Sequence, residues 1–231
     1  MLRATGTSGA RAARMLDSIG APDPAERMAL LLTMETLADP PLALLQPDAR
    51  RMLEGSSDAF AAYGRCAQRF VDRDPVQQML LTDITLQLPS QFLPKVDRAT
   101  MAHGLEARVP LLDERVAEIA VGMPSAWKVR GVQKKWLLRV ALRGRLPDAI
   151  LDGPKTGFGV PYGNWLRNAL YPLARDCILD DGFVSRFGFD RRAVERALED
   201  HRSGRRSRGF TLWKLVQLAL WLRVAAEPAA A

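Results

Sequence analysis

Apolar residues recur along most of the chain at the three- and four-residue intervals of an amphipathic α-helix. One such series includes Met28, Leu31 and Leu32, and the strongest apolar run spans residues 212–222. No segment shows the two-residue alternation of a half-buried strand. The sequence therefore predicts a mainly α-helical chain with few strands. A further amphipathic series at 133–145 predicts a helix whose inner face consists of Leu137, Leu138, Val140 and Ala141.

Residues that favour helix ends divide this pattern into separate helices. Asp58, Asp74 and Asp113 each predict a helix start, because an aspartate side chain accepts hydrogen bonds from the first free backbone N–H groups. Pro89 predicts a break, since proline lacks an N–H donor and its ring collides with the preceding turn. Gly104 predicts the end of the helix that follows, because glycine adopts the left-handed conformation common at C-termini.

These elements predict one helical domain over residues 23–225. Residues 1–22 are rich in Ala, Arg and Gly without clear periodicity, which predicts a loose start or a helix lacking its packing partner. Proline and glycine are dense in residues 147–163, which predicts an irregular, ordered loop. The tail at 226–231 is expected to be disordered.

The composition is ordinary for a globular protein, with 48% hydrophobic and 26% charged residues among 231. Charged residues interrupt the apolar stretches before they reach membrane-spanning length, and the N-terminus lacks the apolar segment of a signal peptide. We therefore expect a cytoplasmic location. Cys66 and Cys177 lie far apart without Cys or His neighbours, so we expect buried free thiols instead of a disulfide or a zinc site. No metal-ligating cluster is predicted.

The net charge of +7 and the pI near 9.9 raise the hypothesis of a basic nucleic-acid-binding domain. Most arginines are spread along the chain, often beside Asp or Glu, which favours ordinary charged helix surfaces. One dense cluster, interleaved with Gly and Ser, is typical of a solvated loop that could contact phosphates or another subunit. This cluster consists of Arg202, Arg205, Arg206 and Arg208. The tryptophans are spread through apolar helices, so we expect core or interface anchors instead of a stacking platform at Trp127, Trp136, Trp165, Trp213 and Trp221.

Residues 88–113 read LPSQFLPKVDRATMAHGLEARVPLLD. This segment resembles the synthetase domain of the asparagine synthetase family, whose typical form is close to LPxxxLxKxDRxxMAxxxExRxPxLD. The likeness continues through Lys128 and through PKTGFGVP at residues 154–161. It covers roughly residues 75–225 and, more weakly, residues 20–75. Each motif alone is weak, and several in the family's order and spacing make the resemblance specific.

The resemblance implies a reaction in two halves. A glutaminase domain releases ammonia from glutamine. A synthetase domain uses ATP and Mg²⁺ to adenylate an aspartate side chain, forming pyrophosphate, and ammonia then displaces AMP. The implied fold is an adenine-nucleotide α-hydrolase-like α/β domain with a parallel sheet and a C-terminal helical region, which this chain would represent with the sheet mostly missing.

The sequence departs from the family by lacking two motifs and the glutaminase domain. It has no Ser-Gly-Gly-x-Asp-Ser loop, which holds the ATP pyrophosphate in the family, and no Gly-x-Gly-x-Asp-Glu motif. Without the Gly-rich loop we find no set of backbone N–H groups that would cradle the pyrophosphate. We therefore expect a protein partner to carry the glutaminase and the ATP loop. The chain alone is expected to be inactive and to bind neither ATP nor Mg²⁺ tightly.

Lys155 is the strongest catalytic candidate. The resemblance assigns its position to the catalytic lysine, and Pro154 and Gly157 would hold it on a tight loop. Adenylation builds negative charge on phosphate oxygens, and a fixed ammonium near them would stabilise that charge. The alternative is an exposed lysine in a polar loop.

Lys95, Asp97 and Arg98 lie within four residues of one predicted helix. Lys95 and Arg98 are three residues apart and share a helix face, so they are candidates for binding ATP or pyrophosphate. Asp97 is a supporting candidate that would orient this site. The alternative is ordinary surface charge, with Asp97 paired to its neighbours.

Glu106 and Arg108 lie in a segment that Pro110 predicts to be extended. Residues two apart on an extended chain point the same way, so both side chains could orient one site or form an ion pair with each other. We favour the structural alternative for this pair. His103 and His201 are expected to be structural.

Two alternatives remain beside the enzyme fragment. One is a noncatalytic helical subunit that docks onto a partner, and the other, less favoured, is the basic nucleic-acid-binding domain. The residues do not identify the carboxylate or the amine, because related scaffolds also form β-lactams and macrolactams.

Overall fold

The computed structural model describes residues 7–21, 24–32, 40–54, 61–153 and 159–226. These residues are mostly α-helical, as predicted. The α-helices, in chain order, are α1 (Thr7–Gly20), α2 (Pro24–Leu32), α3 (Pro47–Glu54), α4 (Ala61–Gln68), α5 (Pro75–Thr82), α6 (Leu93–Met101), α7 (Glu114–Gly122), α8 (Ser125–Lys128), α9 (Trp136–Leu142), α10 (Asp148–Leu151), α11 (Tyr162–Arg167), α12 (Tyr171–Ile178), α13 (Asp181–Phe187), α14 (Arg191–Arg202) and α15 (Gly209–Ala226).

Shorter elements complete the chain. A π-helix spans Asp83–Phe92, and 3₁₀ turns span Pro41–Leu44 and Pro110–Leu112. Strands β1 (Val129–Arg130) and β2 (Gln133–Lys134) pair antiparallel, with Val129 opposite Lys134. This hairpin is the sheet of the described residues, and the parallel sheet that the resemblance implies is absent from them.

The chain divides into two compact units. Unit 1 consists of residues 1–61 and 159–231, and unit 2 consists of residues 62–158. Residues 1–22 were expected to form either a loose start or a helix without a packing partner. The described part forms a helix, α1, and this helix packs against α2. Residues 227–231 and Asp58 lie outside the described residues, so the predicted tail and that predicted cap have no structural counterpart here.

Unit 1 has a hydrophobic core formed mainly by α11, α12, α14 and α15. Leu166, Ile178, Leu198 and Leu212 are almost completely buried. Burying one such side chain stabilises a fold by about 1.5–3 kcal/mol relative to leaving it exposed. Helix α14 shows how the sequence directs this packing, because its buried residues recur at helical spacing: Val194, Ala197, Leu198 and His201.

His201 joins three helices within unit 1. Its Nδ1 accepts a hydrogen bond from the Arg208 backbone N–H at 3.2 Å, so its Nε2 carries the proton and donates to the Gly163 carbonyl at 2.8 Å. The start of α15 approaches α11 so closely that a Cβ on Gly209 would lie 2.9 Å from the Gly163 Cα. This environment gives His201 a structural role and requires glycine at position 209.

Unit 2 contains few buried side chains. Its buried residues in the described part are Cys66, Ala67, Thr82 and Leu151. Many large apolar side chains are instead exposed, among them Met101, Leu105, Leu111, Ile119, Val132 and Ile150. Among the described residues, unit 2 is therefore a set of helices with few apolar side chains packed into a core.

The predicted inner face at 133–145 is wrong for the same reason. The helix begins only at Trp136, after the hairpin, and Leu138, Val140 and Ala141 are exposed. The tryptophans were expected to be core or interface anchors, and Trp127, Trp165 and Trp221 are 49%, 40% and 62% exposed, so these three are not core residues of the described structure. Periodicity identifies the apolar residues of a helix, and it cannot supply the surface that would cover them. The two cysteines are buried free thiols, as predicted.

Candidate functional site

The segment that carries the family motif begins in one continuous helical stretch. Helix α5, the π-helix and α6 follow each other without interruption from residue 75 to residue 101. The break predicted at Pro89 is therefore wrong. The wider π turns accommodate a residue that has no N–H and whose ring would collide with a regular α-helical turn. Thr85 Oγ1 donates to the Leu81 carbonyl at 2.7 Å, and Ser90 Oγ donates to the Leu86 carbonyl, on either side of Pro89.

Three predicted site residues project from α6 into solvent. Lys95, Asp97 and Arg98 are all exposed, and none makes an ion pair with another described residue. The Lys95 Nζ lies 5.5 Å from the centre of the Phe92 ring, within range of a weak cation–π contact. One alternative predicted that Asp97 forms ion pairs with its neighbours, and the described residues show no such pair. Both cations are thus free to meet an anion.

The end of α6 is held by Gly104, as predicted. Gly104 has φ of +67°, and two backbone hydrogen bonds close the helix: Gly104 N–H to Met101 and Leu105 N–H to Thr100, each 3.0 Å long. This is the Schellman arrangement, in which glycine takes the left-handed position just beyond the helix. It turns the chain into the segment that carries Glu106 and Arg108.

Glu106 and Arg108 form an ion pair at 2.7 Å between Oε1 and Nη2. Both side chains are largely exposed, at 69% and 84%, so the pair contributes at most about 1 kcal/mol. The two side chains point the same way, as their spacing predicted, and their charges pair with each other. Asp113 then caps α7 by accepting from the Arg115 N–H at 3.1 Å, which confirms the predicted helix start.

A polar cluster at the start of α5 was not predicted. Lys128 Nζ donates to Gln77 Oε1 at 2.7 Å and to the Val121 carbonyl at 3.1 Å, while Gln77 Nε2 donates to the Met123 carbonyl at 2.7 Å. Burial lowers the Lys128 pKa, and the nearby Asp74 carboxylate opposes that shift. Lys128, which the resemblance included, therefore holds the α7–α8 turn against α5.

Asp74 confirms the predicted helix cap and extends the same cluster. Its Oδ1 accepts from the backbone N–H groups of Val76 and Gln77 and from the Ser125 hydroxyl at 2.7 Å. The Ser125 hydrogen bond is the main reason that the Asp74 pKa is lowered. One carboxylate thus starts α5 and binds the start of α8.

Asp83 is a second residue that the sequence did not single out. Its Oδ1 atom is buried at the start of the π-helix without a hydrogen-bond partner among the described residues. Burial raises the pKa of this carboxyl. A buried, unsatisfied carboxyl oxygen is costly, so Asp83 marks a place where unit 2 lacks a donor.

Lys155 lies outside the described residues, and its predicted role stays a prediction. The structure does describe the chain that leads to it. Arg143 donates from Nη1 to Asp148 Oδ1 at 2.8 Å and from Nη2 to the Asp152 carboxylate at 3.2 Å, and Arg139 lies 3.9 Å from Asp152. Arg143 therefore holds both ends of α10 shortly before Lys155. In the sequence, these contacts of Arg143 are indicated only by the four-residue spacing of Asp148 and Asp152.

The described residues bring together no group of three or more His, Cys, Asp or Glu side chains that could hold a metal ion. The helices within the same described ranges are also too short or too polar to cross a membrane. Unit 2 thus offers cations for an anionic ligand at Lys95 and Arg98.

Comparison with known proteins identifies the same family as the motif. The family model for asparagine synthase matches residues 8–223. A putative glutamine-hydrolysing asparagine synthetase of Mycobacterium bovis is 36% identical over 157 residues, which cover 67% of this chain and 24% of the relative. Asparagine synthetase 1 of Bacillus subtilis is 32% identical over 146 residues, covering 63% of this chain and 23% of the relative. The chain thus spans about a quarter of the length of these relatives. No solved structure matches it.

Proposed function

The chain belongs to the asparagine synthase family, and we propose that it forms the C-terminal helical part of an asparagine-synthetase-type, ATP-dependent ligase. In this proposal the remainder of the enzyme carries the pyrophosphate loop and the glutaminase, whether it is attached to this chain or supplied by a separate protein. The proposed location is the cytoplasm. The main support is a family match along nearly the whole chain, combined with relatives about four times as long.

The exposed apolar residues of unit 2 support the need for that remainder. Leu111, Ile119 and Ile150 are each more than 60% exposed. A surface that covered them would remove apolar area from water, which stabilises the assembly by roughly 25 cal/mol per Å². Unit 2 would thereby gain the core that its own sequence lacks.

In the assembled enzyme, this chain would contribute positive charge. ATP would supply the activated adenylyl group for a carboxylate such as the aspartate side chain, with ammonia from glutamine completing the amide. Lys155 would place its ammonium against the phosphate oxygens as charge develops there. Lys95 and Arg98 would bind the same phosphates from α6, where neither forms an ion pair with another described residue. The proposed products are the amide, AMP and pyrophosphate.

Asp97, Glu106 and Arg108 would orient this site without touching the reacting atoms. The Glu106–Arg108 pair lies directly after the turn at Gly104, and it would fix the chain beyond α6. Because the described residues offer no acidic cluster, the ligands of Mg²⁺ would come from the remainder of the enzyme. Arg143 would hold the chain that leads into Lys155.

The experiment reconstitutes the enzyme and then removes Lys155. The remainder of the Bacillus subtilis relative, without the segment that matches this chain, serves as the complement. We expect Lys155→Ala to slow ATP-dependent amide formation by about a hundredfold to a thousandfold, since losing one fixed charge partner costs roughly 3–4 kcal/mol of transition-state stabilisation. Lys155→Arg should restore activity only in part, because a planar guanidinium does not replace a compact ammonium.

Lys134→Ala is the matched control, since Lys134 is an exposed lysine of the same unit. Amide and pyrophosphate are measured separately, and circular dichroism checks the fold. If Lys155→Ala turns over at the rate of the unmodified chain, Lys155 is a surface lysine and its proposed role is wrong.

The exposed apolar residues of unit 2 also suit the alternative of a noncatalytic docking subunit. The same reconstitution separates the two functions. An enzyme fragment restores ATP-dependent amide formation to the complement. A docking subunit binds its partner and leaves amide formation absent with either lysine or alanine at position 155.

A further inference from the structure

A cavity in unit 1 is lined by residues of α14, of the loop that follows it and of the 3₁₀ turn at Pro41–Leu44. Its volume is about 230 Å³. Three arginines line it, together with one acidic residue and an apolar floor. The lining residues include Arg196, Arg206, Arg208, Asp200, Leu44 and Ala197. All residues proposed above for the ligase reaction lie in unit 2, so this cavity is a separate feature.

Two of the three arginines that line the cavity have no carboxylate partner among the described residues. Neither Arg196 nor Arg206 makes an ion pair with any other residue that the structure describes. The one carboxylate of the lining, Asp200, is engaged by Arg205, whose Nε donates to Oδ1 at 2.8 Å. Like charges gathered around one cavity repel each other, and a bound anion would relieve that repulsion.

The loop that carries two of these arginines has a fixed backbone. Gly204 turns the chain at φ of +75°. The Arg206 N–H then donates to the Asp200 carbonyl at 3.1 Å, and the Arg208 N–H donates to the buried His201 ring at 3.2 Å. The backbone of Arg206 and Arg208, from which both side chains extend, is thus positioned before any ligand arrives, which reduces the entropy lost on binding. The loop is exposed at residues 202–207, as the predicted solvated loop would be, and these two contacts fix its backbone.

We propose that this cavity binds the phosphate group of a small molecule. Guanidinium groups match phosphate oxygens with paired N–H donors, which favours a phosphate over a monovalent halide. The cavity is smaller than the roughly 300–1,000 Å³ typical of sites for drug-sized ligands, so it suits free phosphate or a small phosphomonoester. The apolar floor at Leu44 and Ala197 would contact the carbon atoms of such an ester.

Calorimetric titration of the full chain at constant ionic strength tests this site. One arm uses inorganic phosphate, a second uses glycerol phosphate, and chloride is the control anion. We expect saturable binding with one site per chain, and a decrease in affinity of at least about tenfold in Arg196→Gln/Arg206→Gln, which removes two charged hydrogen-bond donors. Tighter binding of glycerol phosphate than of phosphate would identify the ligand as an ester, and the reverse would identify free phosphate.

Arg192→Gln is the matched control, because Arg192 is exposed on the same helix and does not line the cavity. It should bind phosphate with unchanged affinity, and circular dichroism should show all variants folded. The proposal is overturned by unsaturable binding, by equal loss in Arg192→Gln, or by unchanged affinity in the double variant. It is also overturned if the arginines bind duplex DNA while neither phosphate ligand binds, which would assign this surface to nucleic acid.

Discussion

Units 1 and 2 differ in where their apolar residues lie, although both are built mainly from helices. In unit 1 a set of leucine, isoleucine and valine side chains is buried in one contiguous core. In unit 2 side chains of the same types are exposed on α5, α6, α7 and α9. Ile178 of unit 1 is completely buried, whereas Ile119 of unit 2 is 68% exposed.

This difference shows that helix formation and core formation have separate causes in this chain. Helices in unit 2 begin and end at local signals, such as the Asp74 and Asp113 caps and the Gly104 turn. Their apolar faces need a second layer, which in the proposed enzyme comes from outside this chain. In unit 1 the helices cover each other's apolar faces, and we expect unit 1 to be the more stable unit.

The largest expected effect is on stability, when one isoleucine side chain is truncated in each unit. Ile178→Ala should destabilise unit 1 by about 2–5 kcal/mol, because it leaves a cavity in a packed core. Ile119→Ala should change the stability of unit 2 in the isolated chain by less than about 0.5 kcal/mol, since it removes an exposed side chain. Urea unfolding, followed by hydrogen exchange of peptides from each unit, measures both.

The comparison becomes sharper when the complement is present. Ile119→Ala should then weaken association with the remainder of the enzyme, whereas in the isolated chain it has little effect. Equal costs of the two substitutions in the isolated chain would mean that unit 2 buries Ile119 in solution and has a core of its own.

A smaller effect is expected from pH, through His201 of unit 1. Burial, more than any other cause, lowers the pKa of His201 below its ordinary value near 6.5. The unfolded chain therefore takes up a proton at a higher pH than the folded chain. Stability that is present above pH 6.5 is lost as the pH falls toward the folded-state pKa. The second proton would go to Nδ1, where it would displace the hydrogen bond from Arg208.

Thermal unfolding of unit 1 at pH 7.5 and pH 5.5 measures this loss. We expect a lower midpoint at pH 5.5, and a flatter dependence in His201→Gln. His103→Gln serves as the control, because His103 is an exposed histidine of unit 2. A pH dependence that persists in full without His201 would assign the effect to other groups.

The sequence predicted the parts of the fold that depend on neighbouring residues. The Asp74 and Asp113 caps and the Gly104 turn all follow from residues that act within one or two turns. Pro89 was misjudged because the cost of a proline depends on the type of helical turn, which the proline alone does not determine. The hairpin at 129–134 is too short to show a strand pattern.

The candidate site was predictable in its residues and less so in its contacts. The family resemblance located Lys95, Arg98, Glu106 and Arg108, and the structure adds that only the last two pair with each other. Contacts between distant residues had no local signal. They include the hydrogen bond from Lys128 to Gln77 and the burial of Asp83, which depend on how helices pack.

The most direct test of the central claim is whether this chain holds ATP without the remainder of the enzyme. Calorimetric titration with ATP and Mg²⁺ is carried out on the Arg196→Gln/Arg206→Gln variant, so that the phosphate cavity of unit 1 does not contribute. We predict no saturable binding at micromolar ATP, because no Gly-rich loop is present to cradle the pyrophosphate. Micromolar binding would contradict the account, since it would show that the chain forms a nucleotide site by itself.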